Sequence, residues 1–162
     1  MRFYLQEDQI MENTRTAIET LNDLILINND RIAGFERALN ELKDEDTDLK
    51  HTFINFIGDS HRFKMEIATE VAALGKDIET GTSTSGKLHR TWLDLKAAFN
   101  GHSKHSILEE CEFGEDAIKK AYQTALDEEG LPGYIREILS KQQVELNAAH
   151  DTIKALRDGV LH

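Results

Sequence analysis

The chain has 162 residues, of which 40% are hydrophobic and one is proline, which indicates an ordered single domain with a proper core. Its formal net charge of −11 disfavours nucleic acids and anionic membrane surfaces as partners. No apolar run approaches the roughly 20 residues that cross a bilayer, and the N-terminus lacks a signal-peptide pattern. The single cysteine, Cys111, fits a reducing compartment, so we predict a cytoplasmic protein.

The first long helix is predicted from apolar residues that recur at steps of three and four. These residues are Ile18, Leu21, Leu24, Ile25, Ile32, Phe35, Leu39 and Leu42. Thr16 followed by Glu19 fits a capping box, so the helix is expected to begin between positions 13 and 16. We therefore predict a flexible lead-in over residues 1–12 and a single domain over residues 13–162.

A second helix is expected after the polar turn at residues 44–47. Its apolar stripe comprises Leu49, Phe53, Phe56, Ile57, Phe63, Ile67, Val71 and Leu74. Gly75 follows the last of these positions and is expected to end the helix, because glycine readily adopts the left-handed conformation found there.

The connection to the third long helix is unusually long and contains a short helix of its own. Residues 76–86 are small and polar, which is typical of a loop. Apolar residues at helical spacing, including Trp92, then predict a short helix over residues 87–99. We expect Trp92 to fix this helix to the side of the bundle by packing.

Two further amphipathic helices complete the chain. The third is expected to begin between Ser103 and Ser106 and to end at Gly130, and Pro132 opens the fourth. Their seam positions are Leu108, Cys111, Glu115, Ile118, Tyr122 and Ala125, then Ile135, Leu139, Gln142, Leu146, Ala149, Ile153 and Leu156.

The lengths of the connections predict how the helices are wired. Two short turns make two antiparallel hairpins, and one long connection joins the second helix to the third. A bundle with one long crossover is the arrangement of ferritin-like folds. The predicted fold class is therefore all-α, a ferritin-like four-helix bundle whose long crossover carries an additional short helix.

Several segments also resemble a known family. The runs LHRTWLDLKAAFNG, ILEECEFGEDAIKKAY and AAHDTIKALRD, with LNDLI in the first helix, are similar to bacterial four-helix-bundle proteins of unknown function in the ferritin-like superfamily. The resemblance extends from about Thr14 to Asp158. It implies a ferritin-like bundle and brings no established activity.

Polar residues that interrupt the apolar seams are predicted to converge on one zone of the bundle. With a ferritin-type crossover, Glu36, Glu112 and His150 lie about two and a half turns from one end. Glu115 and His61 lie about one to two turns deeper. Carboxylate oxygen and imidazole nitrogen suit Fe, Mn or Zn, so these five residues form a candidate metal site.

The ferritin pattern is incomplete in this sequence. Ferritin-like di-metal proteins use Glu-x-x-His pairs, but Asn147 stands where the carboxylate before His150 is expected. Gly58 stands at the corresponding position before His61. A complete di-iron centre is therefore not expected, which leaves a single or differently built metal site.

Two main functions are compatible with these observations. The chain is either a ferritin-like protein that binds Fe, Mn or Zn, with a role in oxidative stress, or a non-enzymatic structural or interaction bundle whose buried polar groups satisfy one another without metal. A thiol enzyme built on Cys111 is disfavoured by its seam position. We predict no catalytic residue.

A wide apolar stripe on the first helix (Ala17, Leu24, Ile27) predicts a homodimer.

Overall fold

The computed structural model describes residues 2–75 and 103–160 of the chain. Within these ranges the secondary structure consists of four long helices, with no strand. They are α1 (Arg2–Glu41), α2 (Thr47–Ala73), α3 (Lys104–Leu126) and α4 (Gly133–Asp158). The predicted all-α class is confirmed. The predicted crossover helix over residues 87–99 lies outside the described residues.

The first helix begins earlier than the sequence predicted. It starts at Arg2, so the predicted start near the Thr16 capping box is wrong. Residues 2–13 contain neither glycine nor proline, and a helix that already exists adds each new residue with one more hydrogen bond. The hydroxyl of Thr14 donates to the carbonyl of Ile10 at the end of this stretch. The proposed mobility of residues 1–12 stays a prediction.

The ends of the other helices follow the predicted signals. Gly75, just beyond α2, has a φ of +81°, and Gly130, in the turn after α3, has a φ of +88°. A Cβ atom at Gly130 would also collide with the side chain of Asn13 on α1. Pro132 caps the beginning of α4, as predicted.

The hydrophobic core has two parts that confirm the predicted wiring. One part combines the C-terminal end of α1, the N-terminal ends of α2 and α3, and the C-terminal end of α4, and includes Phe35, Phe53, Leu108 and Ile153. The other part combines the four opposite ends. Because α2 and α3 both begin at one end of the bundle, the end of α2 and the beginning of α3 lie at opposite ends.

Packing is unequal around the bundle. The pairs α1–α2 and α3–α4 pack most closely, α1 also packs on α3, and α2 has the fewest neighbours on α4. Ala17, Leu24 and Ile27 are all buried in the core, so the apolar stripe used to predict a dimer is already covered within one chain. Among the described helices, none combines the length and hydrophobicity needed to cross a membrane.

Candidate metal centre

The middle of the bundle is occupied by a buried ion pair. Arg31 of α1 and Glu115 of α3 are 2% and 1% exposed. The guanidinium donates from Nε to Glu115 Oε1 over 2.7 Å and from Nη2 to Oε2 over 2.9 Å. Such a bidentate pair satisfies both carboxylate oxygens and supplies the opposite charge that a buried carboxylate requires.

The third nitrogen of the guanidinium and its planar surface also have partners. Nη1 of Arg31 donates to Ser60 Oγ over 2.9 Å and to the carbonyl of Phe56 over 3.3 Å. The Arg31 Cζ atom lies 5.3 Å from the centre of the Phe35 ring and 5.4 Å from that of Phe56, which are cation–π distances. Arg31 is therefore held by hydrogen bonds and by aromatic rings on two helices.

A chain of hydrogen bonds continues from this pair across the bundle. Ser60 donates to Asn28, and Asn28 donates to the hydroxyl of Tyr122 over 3.0 Å. Tyr122 donates to Gln142 Oε1 over 2.6 Å, and Gln142 Nε2 donates to Glu66 over 3.2 Å. We call this set, from Glu115 through Arg31, Ser60, Asn28, Tyr122 and Gln142 to Glu66, the central polar network.

The central polar network corrects one prediction. The predicted metal site includes Glu115 together with Glu112, His61 and His150, but the partner of Glu115 is Arg31. Arg31 lies three residues after Asn28 on α1, so its long side chain reaches inward from the same face as Asn28. A cationic side chain therefore already lies beside Glu115 in the bundle core.

A second cluster lies between α3 and α4, nearer to the ends where α3 begins and α4 ends. Glu112 and Asp116 are one turn apart on α3, and His150 faces them from α4. One ligand atom from each residue lies within 4.8 Å of the other two. Glu112 and His150 are 9% and 8% exposed, whereas the side chain of Asp116 is 47% exposed. We call these three residues the α3–α4 cluster.

The imidazole of His150 is the unsatisfied group of this cluster. Its Nε2 lies 2.7 Å from Asp116 Oδ1 and 3.8 Å from Glu112 Oε1. The contact with Asp116 lacks the alignment of a hydrogen bond, so within the described residues this buried nitrogen has no hydrogen-bond partner. The other ring nitrogen, Nδ1, lies 3.3 Å from Asp151. Buried polar atoms are almost always paired, so an unpaired one facing two carboxylates requires an explanation.

Arg157, in the last turn of α4, borders the cluster. Its Nη1 donates to Glu112 Oε2, while Nε and Nη2 donate to Asp158 over 3.1 and 2.8 Å. Hydrogen bonding to Asp158, together with the charge of Glu112, raises the pKa of Arg157, so the guanidinium stays charged. Glu112 thus has one oxygen on the side of Arg157 and one on the side of His150.

The five residues predicted as a metal site are separated in the structure. Glu112 and His150 come together, Glu115 is bonded to Arg31, and Glu36 and His61 lie on exposed faces. Glu36 and His61 each follow a buried residue, and one residue turns a helix by about 100°, so their side chains point outward. The predicted convergence of all five residues is therefore wrong.

Cys111 has the character of a structural residue. It is 9% exposed, and burial, followed by the charges of Glu115, Glu110 and Glu41, raises the pKa of its thiol. A protonated, buried thiol is a poor nucleophile, which removes the basis for a thiol enzyme.

Arg31 and Asp116 were missed by sequence reasoning, although each carried a signal. Asn28, Arg31 and Phe35 follow helical spacing on one face of α1. Glu112 and Asp116 form an i, i+4 pair of carboxylates, which places two oxygen ligands on adjacent turns. A Glu-x-x-His pair has a spacing of three residues, so the four-residue spacing of Glu112 and Asp116 does not match that pattern.

Comparison with known proteins identifies the family. The family described as "Domain of unknown function (DUF2383)" matches residues 16–128, more than half of the chain. The chain belongs to the DUF2383 family. The matched region contains α2 and α3 in full, and therefore Glu112, Asp116 and Glu115, whereas His150 lies beyond it. No curated protein matches the chain.

The solved structures confirm the fold of this DUF2383 member. A Mycobacterium smegmatis Dps1 mutant superposes with a TM-score of 0.76 and 12% sequence identity, over 89% of this chain and 96% of that one. The DUF2383 chain thus has the fold of the ferritin-like superfamily, as its wiring and the resemblance of its sequence predicted.

Proposed function

We propose that this DUF2383 protein binds one divalent transition metal ion, Zn, Mn or Fe, through Glu112, Asp116 and His150. The observation that carries the proposal is the convergence of the buried Nε2 of His150 with one oxygen each of Glu112 and Asp116, all within 4.8 Å of one another. One imidazole nitrogen and two carboxylate oxygens are a typical ligand set for these metals.

The surroundings of His150 support this assignment. Both ring nitrogens face carboxylate oxygens, since Nδ1 lies 3.3 Å from Asp151 and Nε2 lies 2.7 Å from Asp116 and 3.8 Å from Glu112. An ionised carboxylate only accepts hydrogen bonds, so either a proton or a metal ion must stand between Nε2 and these oxygens. With a metal ion there, Nδ1 keeps its proton for Asp151. Metal-bound histidines commonly use their second nitrogen in this way.

The proposed site is a single-ion site rather than a di-metal centre. Glu115 already has a cationic partner in Arg31, and Glu36 and His61 are exposed on other faces. Of the five ligands predicted from the sequence, the proposed site keeps Glu112 and His150, and it gains Asp116. We assign no catalytic residue. A role in oxidative stress stays a prediction that metal content after peroxide treatment of cells would test.

Elemental analysis combined with zinc titration tests the proposal. We expect near-stoichiometric metal in the purified protein, or tight zinc binding after chelation, with loss of both in His150→Ala and in Asp116→Asn. His61→Ala is the matched control, since His61 is exposed and outside the cluster. Equal zinc binding by the His150→Ala and His61→Ala proteins would rule out the site.

The alternative is a non-enzymatic bundle in which the polar groups are structural. The completeness of the central polar network favours it, because each side chain from Arg31 to Gln142 has a hydrogen-bonding partner. Under this alternative, melting curves with chelator and with added metal coincide. Under the metal-binding proposal, added zinc raises the melting temperature of the wild-type protein.

The homodimer and the cytoplasmic location remain predictions. Since the stripe on α1 is buried, support for a dimer now comes from apolar side chains on the outer surfaces of α2 and α4. Ile54, Met65 and Val144 are 53%, 72% and 67% exposed. Sedimentation at high micromolar concentration tests the dimer, and a clean monomer would remove it. Cell fractionation tests the location.

A further inference from the structure

The two oxygens of Glu112 have different surroundings. Oε1 lies 3.8 Å from Nε2 of His150, whereas Oε2 accepts a hydrogen bond from Arg157. The guanidinium is itself fixed by two hydrogen bonds to Asp158. Arg157 therefore holds one oxygen of Glu112 on the outer side of the cluster and leaves the other oxygen directed inward.

This arrangement limits how Glu112 can bind an ion. A guanidinium donates hydrogen bonds and does not accept them, so the oxygen it holds is not free to turn toward a cation without breaking the bond. Glu112 can then offer a cation one oxygen rather than two. Hydrogen bonds from neighbouring residues to ligating carboxylates are a regular feature of metal sites and affect metal affinity.

The number of oxygens offered decides which ions fit. Calcium takes 6–8 oxygen ligands and commonly uses a carboxylate through both oxygens. Zinc is usually four-coordinate and accepts a mixture of nitrogen and single carboxylate oxygens. A cluster with one nitrogen and a glutamate that offers one oxygen is therefore better suited to zinc than to calcium.

We infer that Arg157 is a positioning residue that holds Glu112 as a one-oxygen ligand and thereby sets the preference of the α3–α4 cluster for transition metals over calcium. The inference rests on the proposed metal site and assigns this site its selectivity. Arg157 contacts no ion in this account and acts only through Glu112.

A charge-neutral double variant, Arg157→Gln with Asp158→Asn, provides the test. It removes one positive and one negative charge, so the net charge stays at −11 and simple attraction of cations is unchanged. Zinc affinity is measured by competition with a chromophoric chelator, and calcium affinity by calorimetry. We expect zinc affinity to fall by about 10- to 100-fold while calcium affinity stays equal or rises. The ratio of the two affinities therefore falls.

A matched control variant is available at another position of α4. Arg62 of α2 makes two hydrogen bonds to Glu145 of α4, away from the cluster. Arg62→Gln with Glu145→Gln removes an equivalent exposed pair without changing the net charge, and it is expected to retain both affinities. Melting temperatures in chelator show whether each variant is folded before titration.

The outcomes separate this inference from the metal site itself. Unchanged or tighter zinc binding by the Arg157→Gln, Asp158→Asn protein would overturn the inference, and tighter binding would mean that the guanidinium competes with the ion for Glu112. A parallel loss of zinc and calcium affinity would also overturn it, because selectivity would then not depend on Arg157. If the wild-type protein shows no zinc binding that depends on His150, the metal site is wrong and the inference fails with it.

Discussion

Glu112 and Glu115 lie three residues apart on α3, and both are buried, yet their surroundings differ in kind. Glu115 has a bidentate arginine partner inside the bundle, and a chain of hydrogen bonds extends from that arginine. Glu112 instead lies close to Asp116 and to Nε2 of His150, which has no hydrogen-bond partner among the described residues. A buried carboxylate whose oxygens are all paired needs no further partner, whereas the α3–α4 cluster is a candidate for binding an ion.

The largest effect is expected for the buried ion pair of Arg31 and Glu115. Arg31→Met leaves the Glu115 carboxylate buried without a counter-charge, which should lower the free energy of unfolding by about 3–5 kcal/mol. Urea unfolding followed by circular dichroism measures the change. Arg62→Met, which removes an exposed arginine, should cost less than about 1 kcal/mol.

A second variant sharpens the same measurement. Arg31→Met combined with Glu115→Leu removes both charges, and replacing a whole buried ion pair by apolar residues is often close to neutral. We expect the double variant to recover most of the stability lost in Arg31→Met. A double variant as unstable as the single one would show that the hydrogen bonds to Ser60 and Phe56, rather than the paired charges, matter most.

The next largest effect is expected from zinc binding at the α3–α4 cluster. An ion that binds only the folded state at 100 times its dissociation constant stabilises the protein by about 2.7 kcal/mol. Zinc at that excess should raise the melting temperature of the wild type and leave His150→Ala unaffected. Thermal unfolding with and without zinc measures this. An equal shift in both proteins would place the ion at a different site.

A smaller loss of stability is expected when the central polar network is interrupted. Tyr122→Phe removes the donor to Gln142 and the acceptor for Asn28, leaving buried polar groups unpaired. The free energy of unfolding should fall by about 1–3 kcal/mol, with metal binding unchanged. Tyr134→Phe is the control, because the side chain of Tyr134 is exposed. Loss of zinc binding in Tyr122→Phe would contradict the independence of the two regions.

The smallest expected effect concerns alkaline pH. Burial raises the pKa of the Cys111 thiol in the folded state, whereas the unfolded thiol loses its proton near about pH 8.5. The folded state then holds more protons than the unfolded one, so this contribution to stability is complete below about pH 8.5 and is lost as pH rises further. Urea midpoints measured from about pH 8 to about pH 10 should fall less steeply in Cys111→Ala than in the wild type. Identical slopes would exclude the buried thiol as the cause.

Periodicity and connection length were enough to predict the fold. Apolar residues at steps of three and four define four amphipathic helices, and glycine and proline mark the turns near positions 75 and 130. These signals are local, because each depends on residues within one or two turns of helix. The start of α1 was mispredicted, since the Thr16 capping signal lies within a run without glycine or proline, through which the helix continues in both directions.

The site was predictable only in part. The sequence shows that Glu115 interrupts an apolar seam and therefore needs a partner, and it brings Glu112 and His150 to the same level of the bundle. The rotation of each helix about its own axis decides the rest, and a difference of one residue changes the direction of a side chain by about 100°. That rotation turns Glu36 and His61 outward.

By itself, the sequence determined the helices, their order and the need for one long crossover, because these follow from spacing along the chain. Only the tertiary structure decided that Arg31 completes Glu115 and that Asp116 joins Glu112 and His150. Both pairings bring together side chains from different helices. Whether such side chains meet depends on distances of a few ångströms between helices, which the spacing of residues along one helix does not fix.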